Sequence, residues 1–140
     1  MVINRMITGV LLVNLGTPDS PSPSSVRAYL KEFLSDPDVI PLPAIIRWLL
    51  LSLIILPFRS KRSAKNYQKI WTQAGSPLLV NSQQCAQDLS QELGDDYQVV
   101  LAMRYGEPSI RLGLRQLSTC HQIIVVPLYP QYAGATTLST

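Results

Sequence analysis

The chain has 140 residues, 46% of them hydrophobic and 15% charged, and its twelve Lys and Arg against nine Asp and Glu leave a net charge of +3. That length and apolar content supply the core of one domain and exclude long disorder, and so small and scattered a charge excludes a nucleic-acid footprint. An anionic small ligand or a membrane surface stays open. Cys85 and Cys120 form neither a CxxC pair nor a metal-ligand spacing, and they read as reduced, buried thiols of a cytoplasmic protein. The N-terminal apolar run is too short for a secretory signal and lacks its cleavage site, so no export is expected.

In chain order, residues 8–14 form an uninterrupted, β-branched-rich apolar run closed by Gly16-Thr17-Pro18, as expected of a central parallel strand buried on both faces. Ser24 or Ser25 is expected to cap a helix in which Val26, Tyr29, Leu30, Phe33 and Leu34 share one face while Arg27, Lys31 and Glu32 meet water. Asp36-Pro37-Asp38 ends it. From Ala44 to Leu56 every residue but Arg47 and Ser52 is apolar, with prolines at 41, 43 and 57 as brackets. Such a segment is too apolar for an ordinary surface helix and shorter than the roughly 20 residues of a bilayer span. Two readings stay open, a buried core helix and a membrane-dipping lip backed by Arg59, Lys61, Arg62, Lys65 and Lys69 on the next helix.

After Gly75-Ser76-Pro77 the pattern predicts a helix over 78–93 with Leu78, Ser82, Cys85, Ala86, Leu89 and Leu93 on one face and Gly94 as its stop. A strand over 97–103, a helix over 108–118 with Ile110, Leu114 and Leu117 inward, and a strand over 122–128 complete a βα alternation. The expected fold is therefore α/β, a doubly wound parallel sheet. Gly134 to Thr140 reads as the opening of a further crossover helix, so the chain is expected to be the first 140 residues of a longer protein.

Ligands of open parallel sheets bind beyond the carboxyl ends of the strands. Here that edge holds Asn14 to Pro18, Arg104-Tyr105-Gly106 and the run from Pro127 to Thr137, an aromatic and cationic set with no GxGxxG or P-loop pattern. The lone His121 precedes the third strand and falls at the opposite edge. Glu107 reads as a helix cap, and no serine or cysteine has a base partner. The chain alone offers a binding surface without a catalytic group.

Five sequence words in order carry a resemblance: residues 9–18, Arg59-Ser60 ahead of Tyr67, Gly75-Ser76-Pro77-Leu78, Met103-Arg104-Tyr105, and Pro127 to Tyr132 followed by Thr136-Thr137. Together they resemble the N-terminal part of ferrochelatases, enzymes that insert ferrous iron into a porphyrin to make haem. The resemblance implies two similar chelatase-like domains around a cleft, with residues 1–140 an incomplete first domain and 41–58 an apolar lip within it. It places Arg59, Tyr67 and Ser76 on the macrocycle or its propionates. It lays Leu15, Leu30, Phe33, Leu34 and Val39 against the flat ring, and puts Arg104 and Tyr129 along the route of iron or water.

An apolar Leu15 resembles the enzymes that use protoporphyrin IX. Gly134 stands where some relatives carry a cluster-ligating cysteine, so no iron–sulfur cluster and no other cofactor is expected, iron being a substrate. The family's catalytic histidine and glutamate have no counterpart here, so the chain by itself is expected to be inactive. Protoporphyrin IX and ferrous iron are the implied partners of the whole protein. A peripheral contact of residues 44–58 with the inner face of the cytoplasmic membrane and self-association of the isolated chain complete the expectations. The competing reading is a non-catalytic tetrapyrrole- or membrane-surface-binding module of the same fold.

Overall fold

The computed structural model describes residues 6–129. Strand β1 (Thr8–Gly16) pairs in parallel with β2 (Tyr97–Tyr105) on one side and β3 (Gln122–Pro127) on the other, giving the order β2-β1-β3. β1 is central because its residues 9–13 are apolar or small on both faces, and Val10 to Val13 are all buried. Helix α4 (Pro77–Leu93) covers one face, where Ser82 meets Asn14. Helix α5 (Ile110–Gln116) covers the other, where Leu117 packs with Leu11, Val13, Val100 and Ala102. Helices on both faces make the sheet doubly wound, as the alternation predicts.

Helix α1 (Pro23–Ser35) has its cap two or three residues earlier than expected. Ser22 is its N-cap, accepting from the Ser25 amide at 3.3 Å, because Pro23 has no N–H to satisfy and its ring presets the first helical φ. Asp36 ends the helix, as expected. The next segment departs further from the sequence pattern. Pro57 was expected to bracket the apolar run, yet α2 (Ala44–Leu50), a π-helical turn (Leu51–Ile55) and α3 (Leu56–Ile70) follow without a break. A proline inside an α-helix clashes with the carbonyl four residues back, here that of Leu53, and removes one hydrogen bond. The wider turn just before it, with the Leu56 amide bonded to the Leu51 carbonyl, absorbs both effects.

That turn also decides what is buried. Residues five apart on an α-helix point roughly 140° from each other, whereas a π turn brings them to nearly the same side. Leu51 and Leu56 are accordingly the two buried anchors of the apolar run, while Ile45, Trp48, Leu53, Ile54 and Phe58 are exposed. Within this chain residues 44–56 are therefore an exposed helix anchored at Leu51 and Leu56 and not a buried one, and the basic residues 59–69 continue the same rod instead of occupying a separate helix.

Three smaller expectations are corrected. Cys85 is exposed and Cys120 half-buried, both free thiols, because α4 turns Ser82 and not Cys85 to the sheet. Around α5, Ile110 and Leu117 pack inward as expected, but Leu114 is exposed, and Gly113 faces the sheet in its stead, its missing side chain admitting Leu11 and Ala102. Strand β2 runs on to Tyr105, two residues past its expected end. Pro130 to Thr140, including Gly134 and the expected crossover helix, lie outside the described residues.

Candidate functional site at the carboxyl edge of the sheet

Val13 is level with Ala102 on one neighbour and Pro127 on the other. Two residues further along, Leu15 and Arg104 stand side by side at the ends of β1 and β2, and Tyr129 lies two residues past the end of β3, just after the Leu128 amide bonds the Val13 carbonyl, so the three bound the same edge of the sheet. The switch of winding direction falls between β1 and β3, the position at which open sheets of this order place ligands. Asn14 fixes the middle of this edge: its Nδ2 donates to Ser82 Oγ at 2.9 Å and its Oδ1 accepts from the Leu15 amide at 2.8 Å. Gly16, at φ 119°, lets β1 pass against β2 where any Cβ would overlap the Tyr105 carbonyl.

Above this edge sits a cluster built by α1, the π turn and α3. Its buried members include Val26, Tyr29, Leu30, Leu34, Leu51, Leu56 and, from β2, Tyr105, and Leu15, Phe33, Val39 and Tyr67 are among the half-buried residues packed on it. Leu30 and Leu34, only 6% and 5% exposed, hold helix to helix and back the more open Phe33 and Val39. Aromatic rings line the junction. Phe33 meets Tyr105 edge-on at 5.1 Å and lies parallel to Tyr29 at 6.2 Å, and Tyr67 meets Trp71 edge-on at 6.2 Å. The Tyr29 phenol donates to the Gly16 carbonyl at 3.1 Å. Burial first, then the proximity of Tyr67, Tyr105, Glu32 and Tyr129, pushes its pKa above the usual phenol range, so it remains a neutral donor. Burial likewise raises Tyr67.

The polar residues expected around the ring are spread over two concavities. Arg59 is exposed and lines a groove of about 530 Å³ with Ile54, Phe58 and Arg62. Tyr67 lines its continuation, about 390 Å³, which shares Ser63 and Asn66 with the first. Ser76 lies elsewhere, in a cleft of about 430 Å³ bounded by Thr17, Trp71, Glu107 and Leu112. It is 3% exposed, and its Oγ accepts from the Thr17 hydroxyl at 2.8 Å. Glu107 does not cap α5 as expected: it accepts from the Ser109 amide at 2.7 Å in the turn just before the helix, and Ser109 itself stands at the N-cap with no side-chain bond to the first turn. His121 is exposed at the far end of β3, away from the carboxyl edge. Among the described residues no three His, Cys, Asp or Glu side chains gather as a metal site.

The residue that the sequence pattern misses is Asp36, read there only as a helix stop. One of its carboxylate oxygens accepts from Arg104 Nη2 and from the Tyr105 hydroxyl, each at 2.8 Å, and the other accepts from the Asp38 amide at 2.9 Å. Burial works to raise its pKa, but the Asp38 amide, the Tyr105 hydroxyl and the Arg104 and Arg47 charges together hold it below the usual carboxylate range. A pairing across 68 residues leaves no periodic trace. Arg47, the one cation of the apolar run, is similarly committed: it donates to the carbonyls of Ile40 and Leu42 at 3.3 and 2.8 Å.

Comparison with known proteins bears on this arrangement. The family model described as Ferrochelatase matches residues 7–140. A ferrochelatase of Coxiella burnetii (strain RSA 493 / Nine Mile phase I) is 56% identical over 140 residues, covering 99% of this chain and 40% of its own. Those of Legionella pneumophila (strain Paris) and Herminiimonas arsenicoxydans are 51% and 54% identical over 94% of this chain. The chain thus spans about 40% of the length of the curated relatives it matches. With the match running through both strand-end loops and the helices packed above them, the chain belongs to the ferrochelatase family.

Proposed function

We propose that this chain supplies the porphyrin-holding wall of an enzyme that inserts ferrous iron into protoporphyrin IX in haem biosynthesis. The observation that supports the reading best is the edge bounded by Leu15, Arg104 and Tyr129 beneath a half-open aromatic and aliphatic surface. Leu15, Phe33, Val39 and Tyr67 lie against the ring, with Leu30 and Leu34 as their packed support. Arg59, a charged fork suited to carboxylates, takes a propionate, with Tyr67 beside it. Ser76 acts by holding the Gly75 turn to Thr17. Arg104 and Tyr129 stand on the approach of iron or water.

Insertion of Fe²⁺ releases two pyrrole protons, so the reaction needs a base near the ring and a macrocycle bent to expose its nitrogen lone pairs. Tight contacts along the ring can offset that strain. No general base is assigned to this chain, so alone it binds the tetrapyrrole without inserting iron. The reading includes no iron–sulfur cluster and no resident cofactor.

The exposed apolar face of α2, the π turn and α3, with the basic residues behind it, favours peripheral contact with the inner surface of the cytoplasmic membrane through residues 44–58. No helix among the described residues is long and apolar enough to cross a membrane. Exposed Ile123, Ile124 and Val125 on β3 incline the isolated chain to self-association, which size-exclusion chromatography reads.

The test is titration of the 140-residue chain with protoporphyrin IX, followed at the Soret band. The reading expects a saturable shift at micromolar ligand that weakens in Arg59→Ala. An unshifted band, or a variant identical to the parent, would overturn the porphyrin site.

A further inference from the structure

The carboxylate of Asp36, whose side chain is 9% exposed, joins two walls of the candidate site. It terminates α1, the helix that carries Phe33, and reaches the end of β2, where it takes both Arg104 Nη2 and the Tyr105 hydroxyl on one oxygen. Tyr105 is itself wedged edge-on against Phe33, and the Arg104 guanidinium stacks 4.9 Å from the Tyr105 ring centre. Arg104 is thereby held on two sides. Its Nε is buried without a partner, and the 29% exposure of the side chain leaves the Nη donors not spent on Asp36 for a water or a substrate oxygen.

Two consequences follow for a cation moving along this edge. An arginine in a fixed pose presents its donors in one direction, whereas a free one samples many rotamers. An arginine without a counter-charge repels a dication at close range, and a paired one nearly does not. The charged groups at this edge among the described residues include Arg104 from β2, Arg47 from α2, Glu32 from α1, whose carboxylate accepts from the Gly106 amide at 3.2 Å, and Asp36 itself.

We infer that Asp36 is a positioning residue for iron delivery, orienting Arg104 and cancelling its charge so that Fe²⁺ passes the strand-end edge. The inference rests on the proposed ferrochelatase activity, and its effect is on the metal substrate, not on the porphyrin.

The experiment is steady-state kinetics of a full-length ferrochelatase carrying this chain, with Fe²⁺ and protoporphyrin IX varied separately. Asp36→Asn keeps the shape and loses the charge. It should raise KM for Fe²⁺ about tenfold, the scale of lost outer-shell support at metal sites, with KM for porphyrin nearly unchanged. Arg104→Gln alone should raise KM for Fe²⁺ on the same scale, and adding Asp36→Asn to it should raise that KM little further, because the carboxylate acts through the arginine. Asp36→Glu, which retains the charge, should lie between parent and Asp36→Asn, and it serves as the test if Asp36→Asn does not fold. An unchanged KM for Fe²⁺ in a folded variant, equal rises in both KM values, or additive losses in the double variant would overturn the inference while leaving the enzyme's assignment standing. An inactive parent would instead overturn the proposed function.

Discussion

If the lip meets a bilayer, its exposed apolar side chains must supply the binding energy, and their exposure sets the scale. Phe58 is 77% exposed and Trp48 61%. Full burial of a large apolar side chain is worth about 1.5–3 kcal/mol, so moving the exposed part of either into acyl chains contributes about 2 kcal/mol, roughly thirtyfold in partition. Trp48→Glu with Phe58→Glu should therefore weaken association with anionic vesicles by several hundredfold, taking roughly 4 kcal/mol for the pair. The basic residues 59–69 add an electrostatic part that salt screens within about 8 Å at physiological ionic strength. Raising salt should then reduce binding of the parent without abolishing it. Co-sedimentation with phosphatidylglycerol vesicles reads all of this, with Leu114→Glu as the control, since Leu114 is exposed on α5 away from the lip. Unchanged sedimentation of the double variant, or an equal loss in the control, would refute the membrane assignment.

Gly16→Ala should destabilise the chain by about 3 kcal/mol, combining a disfavoured positive φ with overlap at the Tyr105 carbonyl; urea unfolding measures it, and a loss below about 1 kcal/mol would contradict the close approach. Asp36 has its pKa lowered in the folded state, so its contribution is fully present above the unfolded carboxyl value and is lost as pH falls below about 4 toward the folded value. Asp36→Asn should accordingly lower stability at pH 7 and flatten the acid limb of the stability–pH curve, and parallel curves for parent and variant would contradict this. Cys85 should react with a thiol reagent at the rate of an exposed cysteine, while Cys120, half-buried with Sγ 3.5 Å from Gln98 Oε1, should react markedly more slowly; equal rates would place the two thiols wrongly.

What could be read from the sequence was whatever burial imposes on a periodic pattern. β1 is apolar without alternation because both of its faces are covered, and α1 shows its inward side because one stripe packs on α3. From those two elements and the βα alternation, the strand-end edge follows directly. Features that depend on single atoms did not show. Pro57 looks like a stop, and only a turn with one extra residue makes it compatible with a continuous helix. Gly113 looks like a weak point in α5, yet its missing Cβ is what seats that helix on Leu11. Among the site residues, Leu15 and Arg104 were legible as strand-end positions, whereas the carboxylate that holds Arg104 comes from a helix terminus far away in sequence.

The π turn links these levels. Without its extra residue, Leu51 would rotate away from Leu56, and either the lip or α3 would lose its anchor in the cluster under the aromatic rings. With it, one rod turns Leu51, Leu56, Ser60 and Ala64 inward while Leu53, Ile54 and Phe58 stay outward. The groove along that rod then runs from apolar Ile54 and Phe58, past Arg59 and Arg62, to Tyr67. An amphiphile with a flat apolar body and acidic side arms meets complementary chemistry at each step along it. A core helix in the same place would have offered such a molecule neither an apolar entry nor a charged one, and this is why the exposure of residues 45–58 matters more to the functional reading than their hydrophobicity.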